Sequence, residues 1–146
     1  MTADDQVKRE SLPDGQLRLS VKDCTFLFRK LRAAVLLVTI SGDDRGEFGN
    51  ETLDEIRMEI LRNKPLELFV DARAATGAAL SVSQDWTRFF ATNRENLKRV
   101  SVLVGSKVVN LTVEIAQHLS RTGNLIQIYS DPEMFDARVA EALRPQ

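Results

Sequence analysis

The chain has a single cysteine, Cys24, and a single histidine, His118. One thiol forms no internal disulfide, which fits a reducing compartment. One imidazole without a cysteine cluster leaves a His-based zinc site or a His-linked serine triad little to build on. Long apolar runs are missing as well. The longest, Ala33 to Val38, falls far short of the roughly 20 residues that a membrane-spanning helix requires. Neither sign of charge dominates: 20 basic residues stand against 21 acidic ones, for a net charge of −1 and a pI of about 5.9. Such a balance leaves no electrostatic footprint for nucleic acid and no attraction to an anionic membrane. The first ten residues, Met1 to Glu10, are polar and lack the apolar core of a signal peptide. The expectation is a cytoplasmic protein with neither nucleic acid nor membrane as its partner.

What is present fits one α/β domain. At 146 residues, 43% of them hydrophobic, the chain can bury a substantial core. Residues 1–15 carry charge and the breakers Pro13, Asp14 and Gly15, and read as a flexible arm ahead of a single domain over 16–146. Gln16 to Lys22 and Cys24 to Phe28 alternate apolar and polar residues, the pattern of an N-terminal β-hairpin. Cys24, inside the second of these strands, reads as a small buried hydrophobe. Ala33 to Ile40 is apolar on both faces, as in a central strand covered on both sides. Ser41-Gly42-Asp43-Asp44 breaks it, and Asp43 and Asp44 read as a solvated turn, with Mg²⁺ binding as the alternative. Thr52 and Glu55 have capping-box spacing, and Leu53, Ile56, Ile60 and Leu61 form a helical stripe ending at Pro65.

The most informative stretch is 66–90. Leu66 to Asp71 is a second central strand, Ala72 to Ala79 a small-residue loop, and 80–95 a helix that turns Trp86, Phe89 and Phe90 onto the sheet. Val100 to Val104 and Leu125 to Tyr129 add strands, the latter alternating as an edge would. Ser106 caps a helix carrying Val108, Leu111, Ile115 and Leu119, and Asp131-Pro132 starts a last helix burying Phe135, Val139 and Leu143. The order β-α-β-α-β-α-β-α from residue 33 predicts a mostly parallel sheet with helices on its faces. Parallel strands would gather the connections 41–50, 72–82 and 105–108 along one carboxyl rim, where open α/β folds bind ligands and partners.

Ile40-Ser41-Gly42-Asp43 closing the first buried strand and Leu68-Phe69-Val70-Asp71 ahead of the small-residue loop resemble the STAS fold. Leu97 to Gly105, the helix after it, and Ile126-Gln127-Ile128-Tyr129 followed by Asp131 to Arg138 look like its SpoIIAA-like branch, and the resemblance spans about 24–143. It implies a SpoIIAA-like β-α superhelix and a non-catalytic regulatory domain that meets a protein partner, a kinase or another regulator, at the carboxyl edge. Anti-sigma-factor antagonists of this family carry Asp-Ser-Ser/Thr-Gly, with a phosphorylated serine or threonine, just before the second helix. Here the stretch reads Gly77-Ala-Ala-Leu-Ser81-Val-Ser83, without that signature. The SpoIIAA-like group's likeness to lipid-binding domains implies the alternative, a carrier or sensor of a small apolar ligand between the 80–95 helix and the sheet.

The candidate sites follow. Ser81, Ser83 and Thr76 are candidate phosphoacceptors or partner surface, since a helix start favours negative charge; Ser81 with Gln84 also fits a capping box. Trp86, Phe89 and Phe90 are either core or the wall of an apolar cavity under the Ala/Gly loop. Asp71, at a strand end, either bonds to loop N–H groups or serves as a base or metal ligand. Gly105-Ser106-Lys107 lacks the spacing of a nucleotide-binding loop, leaving Ser106 and Lys107 as contacts for a single anion. His118, beside the stripe residue Leu119, reads as partly exposed. No catalytic constellation, metal site or cofactor is expected, and an uncovered edge strand leaves room for a homodimer.

Overall fold

The structure, a computed structural model, describes residues 6–120 and 124–145, without the side chains of Val108 and of 115–120. Seven strands form one sheet in chain order: β1 (Lys8–Ser11), β2 (Leu17–Val21), β3 (Cys24–Arg32), β4 (Val35–Asp44), β5 (Leu66–Ala78), β6 (Leu97–Val104) and β7 (Ile126–Tyr129). β1 to β4 pair antiparallel, and β4 to β7 pair parallel. The helices are α1 (Glu51–Arg62), α2 (Leu80–Asn93), α3 (Lys107–Ser120) and α4 (Pro132–Ala142). The expected hairpin and the parallel β-α succession are both present. Because β4, β5 and β6 run the same way, the chain leaves all three at one end of the sheet, so the three connections share a rim.

The two faces are covered unequally. Alternation along the strands sends Phe26, Phe28, Leu36, Val38, Leu68, Val70, Val100 and Val102 to one side. There they meet Leu53, Ile56 and Ile60 of α1, Phe89 and Phe90 of α2 and Val109 of α3. The other side has a small core, Val35, Phe69 and Leu103 under Phe135 of α4. Beside it, Glu67 is buried with Arg99 and Arg138 at 3.9 and 3.7 Å. Those distances compensate its charge without hydrogen-bonding its Oε2, and Ser101 Oγ is likewise buried without a partner.

Local chemistry sets the helix starts. Asp131 accepts the N–H of Glu133 at 2.9 Å with Pro132 in the first turn, and Ser106 Oγ accepts the N–H of Val109 at 3.1 Å. Elsewhere the expectations need correction. Asn50, not Thr52, precedes α1 and gives no side-chain cap; Thr52 is buried and Glu55 reaches across to Arg9 at 2.6 Å. Leu61 is 79% exposed and Leu111 also faces solvent, because each lies just outside the buried stripe of its helix, and Leu143 is exposed because α4 ends before it, at Ala142. Residues 8–11, assigned to the arm, form β1, because each pairs across to residues 17–20 of β2. Val108, Ile115, His118 and Leu119 lie outside the described side chains.

The largest correction concerns the breakers. Ser41 to Asp44 and Ala72 to Ala78 are strand, paired Ser41↔Ala74, Gly42↔Ala75, Asp43↔Gly77 and Asp44↔Ala78 through two irregularities. Each segment looks like a loop alone, but each supplies the other's backbone partners. Gly42 makes this possible: its φ is +88°, and a Cβ there would lie 1.9 Å from Asp23 O in the β2–β3 turn. Asp43 N–H then donates to that carbonyl at 2.9 Å. Gly42→Ala is therefore expected to lower stability by about 2–4 kcal/mol. Urea denaturation measures this, and a loss within about 0.5 kcal/mol would show that the turn yields instead.

Candidate functional site

The paired extension of β4 and β5 runs past the end of β6, whose last residue Val104 pairs with Ala72. Beneath it lies a cavity of about 110 Å³, walled by Phe26 and Ile40, by Val70, Ala72, Ala75, Gly77 and Ala78, by α2 and by Val109 and Val113 of α3. Small side chains on β5 open this space. On α2, Val82, Ser83, Trp86 and Phe90 face it. Trp86 stacks over Phe26 at 6.5 Å and meets Phe90 at 5.7 Å, so the aromatic wall is held by ring contacts on two elements. Among the described residues the lining is almost wholly apolar; the exceptions are Ser83, Thr112 and one carboxylate, Asp44.

Asp44 is 6% exposed, not a solvated turn residue, because it ends β4 beneath the start of α2. One carboxylate oxygen accepts the N–H of Gly46 at 3.0 Å, and its backbone carbonyl accepts from Ala79. Burial raises its pKa above the usual value of 3.8, opposed by the Gly46 bond, and Glu47, Asp43 and Asp85 push it further up. Asp44, Glu47 and Asp43 act in turn on Cys24, whose thiol is driven up to about 12, by burial first. That thiol is buried and inert, as a strand cysteine of this kind is expected to be. A smaller, polar cavity of about 60 Å³ adjoins the first, lined by Gly46, Thr52, Ser81 and Asp85, with Asp44, Val82 and Trp86 walling both.

The candidate residues separate in space. Trp86 and Phe90 wall the apolar cavity, whereas Phe89 packs beneath Arg57 of α1, its ring 5.2 Å from the guanidinium. Ser83 lines the cavity, its hydroxyl 3.4 Å from the carbonyl of Ala79. Ser81 is exposed beside the polar cavity and makes no capping box: Ala79 precedes α2, without a side-chain cap. Thr76 is exposed on β5. Ser106 is occupied in capping α3, and Lys107 is exposed next to it. Asp71 is on the α4 side, gripped by the Arg73 guanidinium at 3.1 and 2.9 Å and by the Arg73 N–H. Among the described residues no group of histidine, cysteine and carboxylate side chains could hold a metal, and no helix is long and apolar enough to cross a membrane. Sequence reasoning missed Phe26, Val70, Ala75 and Val109 as site residues, and gave Asp44 only as a turn residue or Mg²⁺ ligand. Only the run of small residues on β5 hinted at space there.

No family model matches the chain, and no curated protein sequence does. Among solved structures it is similar to an anti-sigma factor antagonist from Mycobacterium paratuberculosis, at 15% identity over 90% of this chain and 99% of that one, with a TM-score of 0.59. It is also similar to an uncharacterized protein from Shewanella loihica PV-4 described as having a SpoIIAA-like fold, at 13% identity over 80% of this chain and 93% of that one, with a TM-score of 0.56. The fold is therefore that of a STAS/SpoIIAA-like domain, a mixed α/β sheet that is parallel in β4 to β7.

Asp44 gives a pH prediction. Its folded pKa is raised, so above pH 3.8 the folded chain holds this proton more firmly than the unfolded chain. Stability falls as pH rises through that window. Asp44→Asn keeps an acceptor for Gly46 and removes the charge. Its gain in melting temperature over the native protein is expected to be smallest in acid and largest at neutral pH. A gain independent of pH, or a loss at neutrality, would contradict the burial cost.

Proposed function

We propose that this chain is a non-catalytic regulatory domain that engages a protein partner through the carboxyl rim of its sheet and the start of α2. The observation that carries this is a large apolar side chain with no cover at that helix start: Leu80 is 75% exposed. Leu111 is 57% exposed near the start of α3, which leaves the same rim. Ser81, Thr76 and Lys107, on the same connections, are exposed as well, so the rim carries apolar anchors among polar side chains, the pattern of a contact surface. The fold shared with an anti-sigma factor antagonist supports the same reading.

A second reading has its own observation, the apolar cavity behind α2. Its lining suits a small apolar ligand, so the domain would act as a carrier or sensor. The inner face of α2 would hold the ligand while its first turn meets the partner.

Leu80→Arg is expected to abolish partner capture from the native host while shifting stability by no more than about 0.5 kcal/mol. Leu61→Arg, an equally exposed change on α1 far from the rim, is expected to leave capture intact. Equal capture by native protein and Leu80→Arg would refute the rim. For the second reading, native mass spectrometry of protein purified without denaturation is expected to reveal an added small-molecule mass.

A further inference from the structure

Asp44 has an unusual combination of surroundings. It is a buried carboxylate at the junction of an apolar cavity and a polar one, and Trp86 walls both beside it. One of its oxygens is held by Gly46 N–H, and the charges acting on it, those of Glu47, Asp43 and Asp85, are all negative. Asp43 and Asp85 have arginine partners, Arg45 at 3.7 Å and Arg88 at 3.3 Å. No ion pair with Asp44 is found among the described residues. A buried carboxylate without an ion pair either holds a proton or is compensated by a cation, and neighbouring carboxylates favour both.

Size and shape limit what that cation could belong to. A volume of about 110 Å³ suits a single ring or a short branched alkyl group, being somewhat below the roughly 150 Å³ apolar cavity that takes up benzene. The adjoining polar space of about 60 Å³ suits one small hydrated head. The indole of Trp86 lines both spaces and supplies apolar wall beside Asp44.

We propose that the cavity takes a small hydrophobic monoamine, its ring or alkyl body against Phe26, Val70, Trp86 and Phe90 and its ammonium on Asp44. This rests on the ligand reading of the cavity and adds the charge of the ligand and the residue that selects it. An anion is repelled from the same place, and a neutral apolar molecule fills the cavity but leaves the carboxylate unpaired.

Three near-isosteric probes test this on the full chain: benzylamine, benzyl alcohol and benzoate. Trp86 is the only tryptophan and stands in the wall, so its fluorescence reads occupancy directly. Benzylamine is expected to bind saturably and about tenfold tighter than benzyl alcohol, because its ammonium adds Coulombic attraction to the hydrogen bond that either probe can donate to the carboxylate, with benzoate weakest. Asp44→Asn is expected to bring the amine-to-alcohol ratio to about one, with both probes still binding saturably. Saturable binding of the alcohol with no preference for the amine would overturn the ammonium and leave the cavity reading intact. A preference that survives Asp44→Asn would overturn Asp44 as the anchor. Binding of none of the probes would overturn the cavity reading together with this inference.

Discussion

The parallel ladder between β4 and β5, carried beyond Thr39 and Asp71 to the pair Asp44↔Ala78, is the constraint on which the molecule depends. β6 stops at Val104, so the last part of this ladder stands clear of the sheet and roofs the space between α2 and α3. It also leaves almost no loop between β5 and α2. Ala79 alone separates them, its N–H bound to the carbonyl of Asp44. With the chain entering the helix so abruptly, helical geometry dictates the rest: Leu80 turns outward, and Val82, Ser83 and Trp86 turn in.

That arrangement works because the residues on β5 are small. Ala72, Ala75, Gly77 and Ala78 cover the backbone without filling the volume under it, whereas Phe26, Trp86 and Phe90 are rigid and hold one another by ring contacts. A void of this kind forgoes dispersion contacts that a larger side chain would make, and Asp44 adds a desolvation cost in its wall. Both run against stability, and departures of this sort concentrate where a protein binds something. On the opposite face Phe135 closes over Phe69 at 5.8 Å, and Glu67 lies among arginines.

The sheet was largely legible in the sequence. Period-two alternation in 17–28 marked the hairpin, double-sided apolar runs marked β4 and β5, and a strand every 25 to 35 residues implied parallel pairing, because right-handed crossovers need that length. Of the site, Trp86 and Phe90 were legible from their helical spacing, since a face of i and i+4 aromatics must pack on something. Asp44 was not. Asp43 and Asp44 are adjacent and chemically alike, and Asp44 alone ends in the wall, because β4 runs on through it and the alternation that turns Val38 and Ile40 inward turns Asp44 inward too, the extra residues at the irregularities being on β5.

The sequence by itself determined the order of elements, the buried stripes of α1 and α2, and the caps of α3 and α4, all of which depend on residues near one another along the chain. Tertiary structure alone decided that two loop-like segments, 41–44 and 72–78, are strands. Each is made of Gly, Ala, Ser, Thr and charged residues with little apolar surface, and their order comes from backbone hydrogen bonds to a partner some thirty residues away. Local composition carries no record of such a partner, so the roof, the cavity under it and the burial of Asp44 came into view only with the fold.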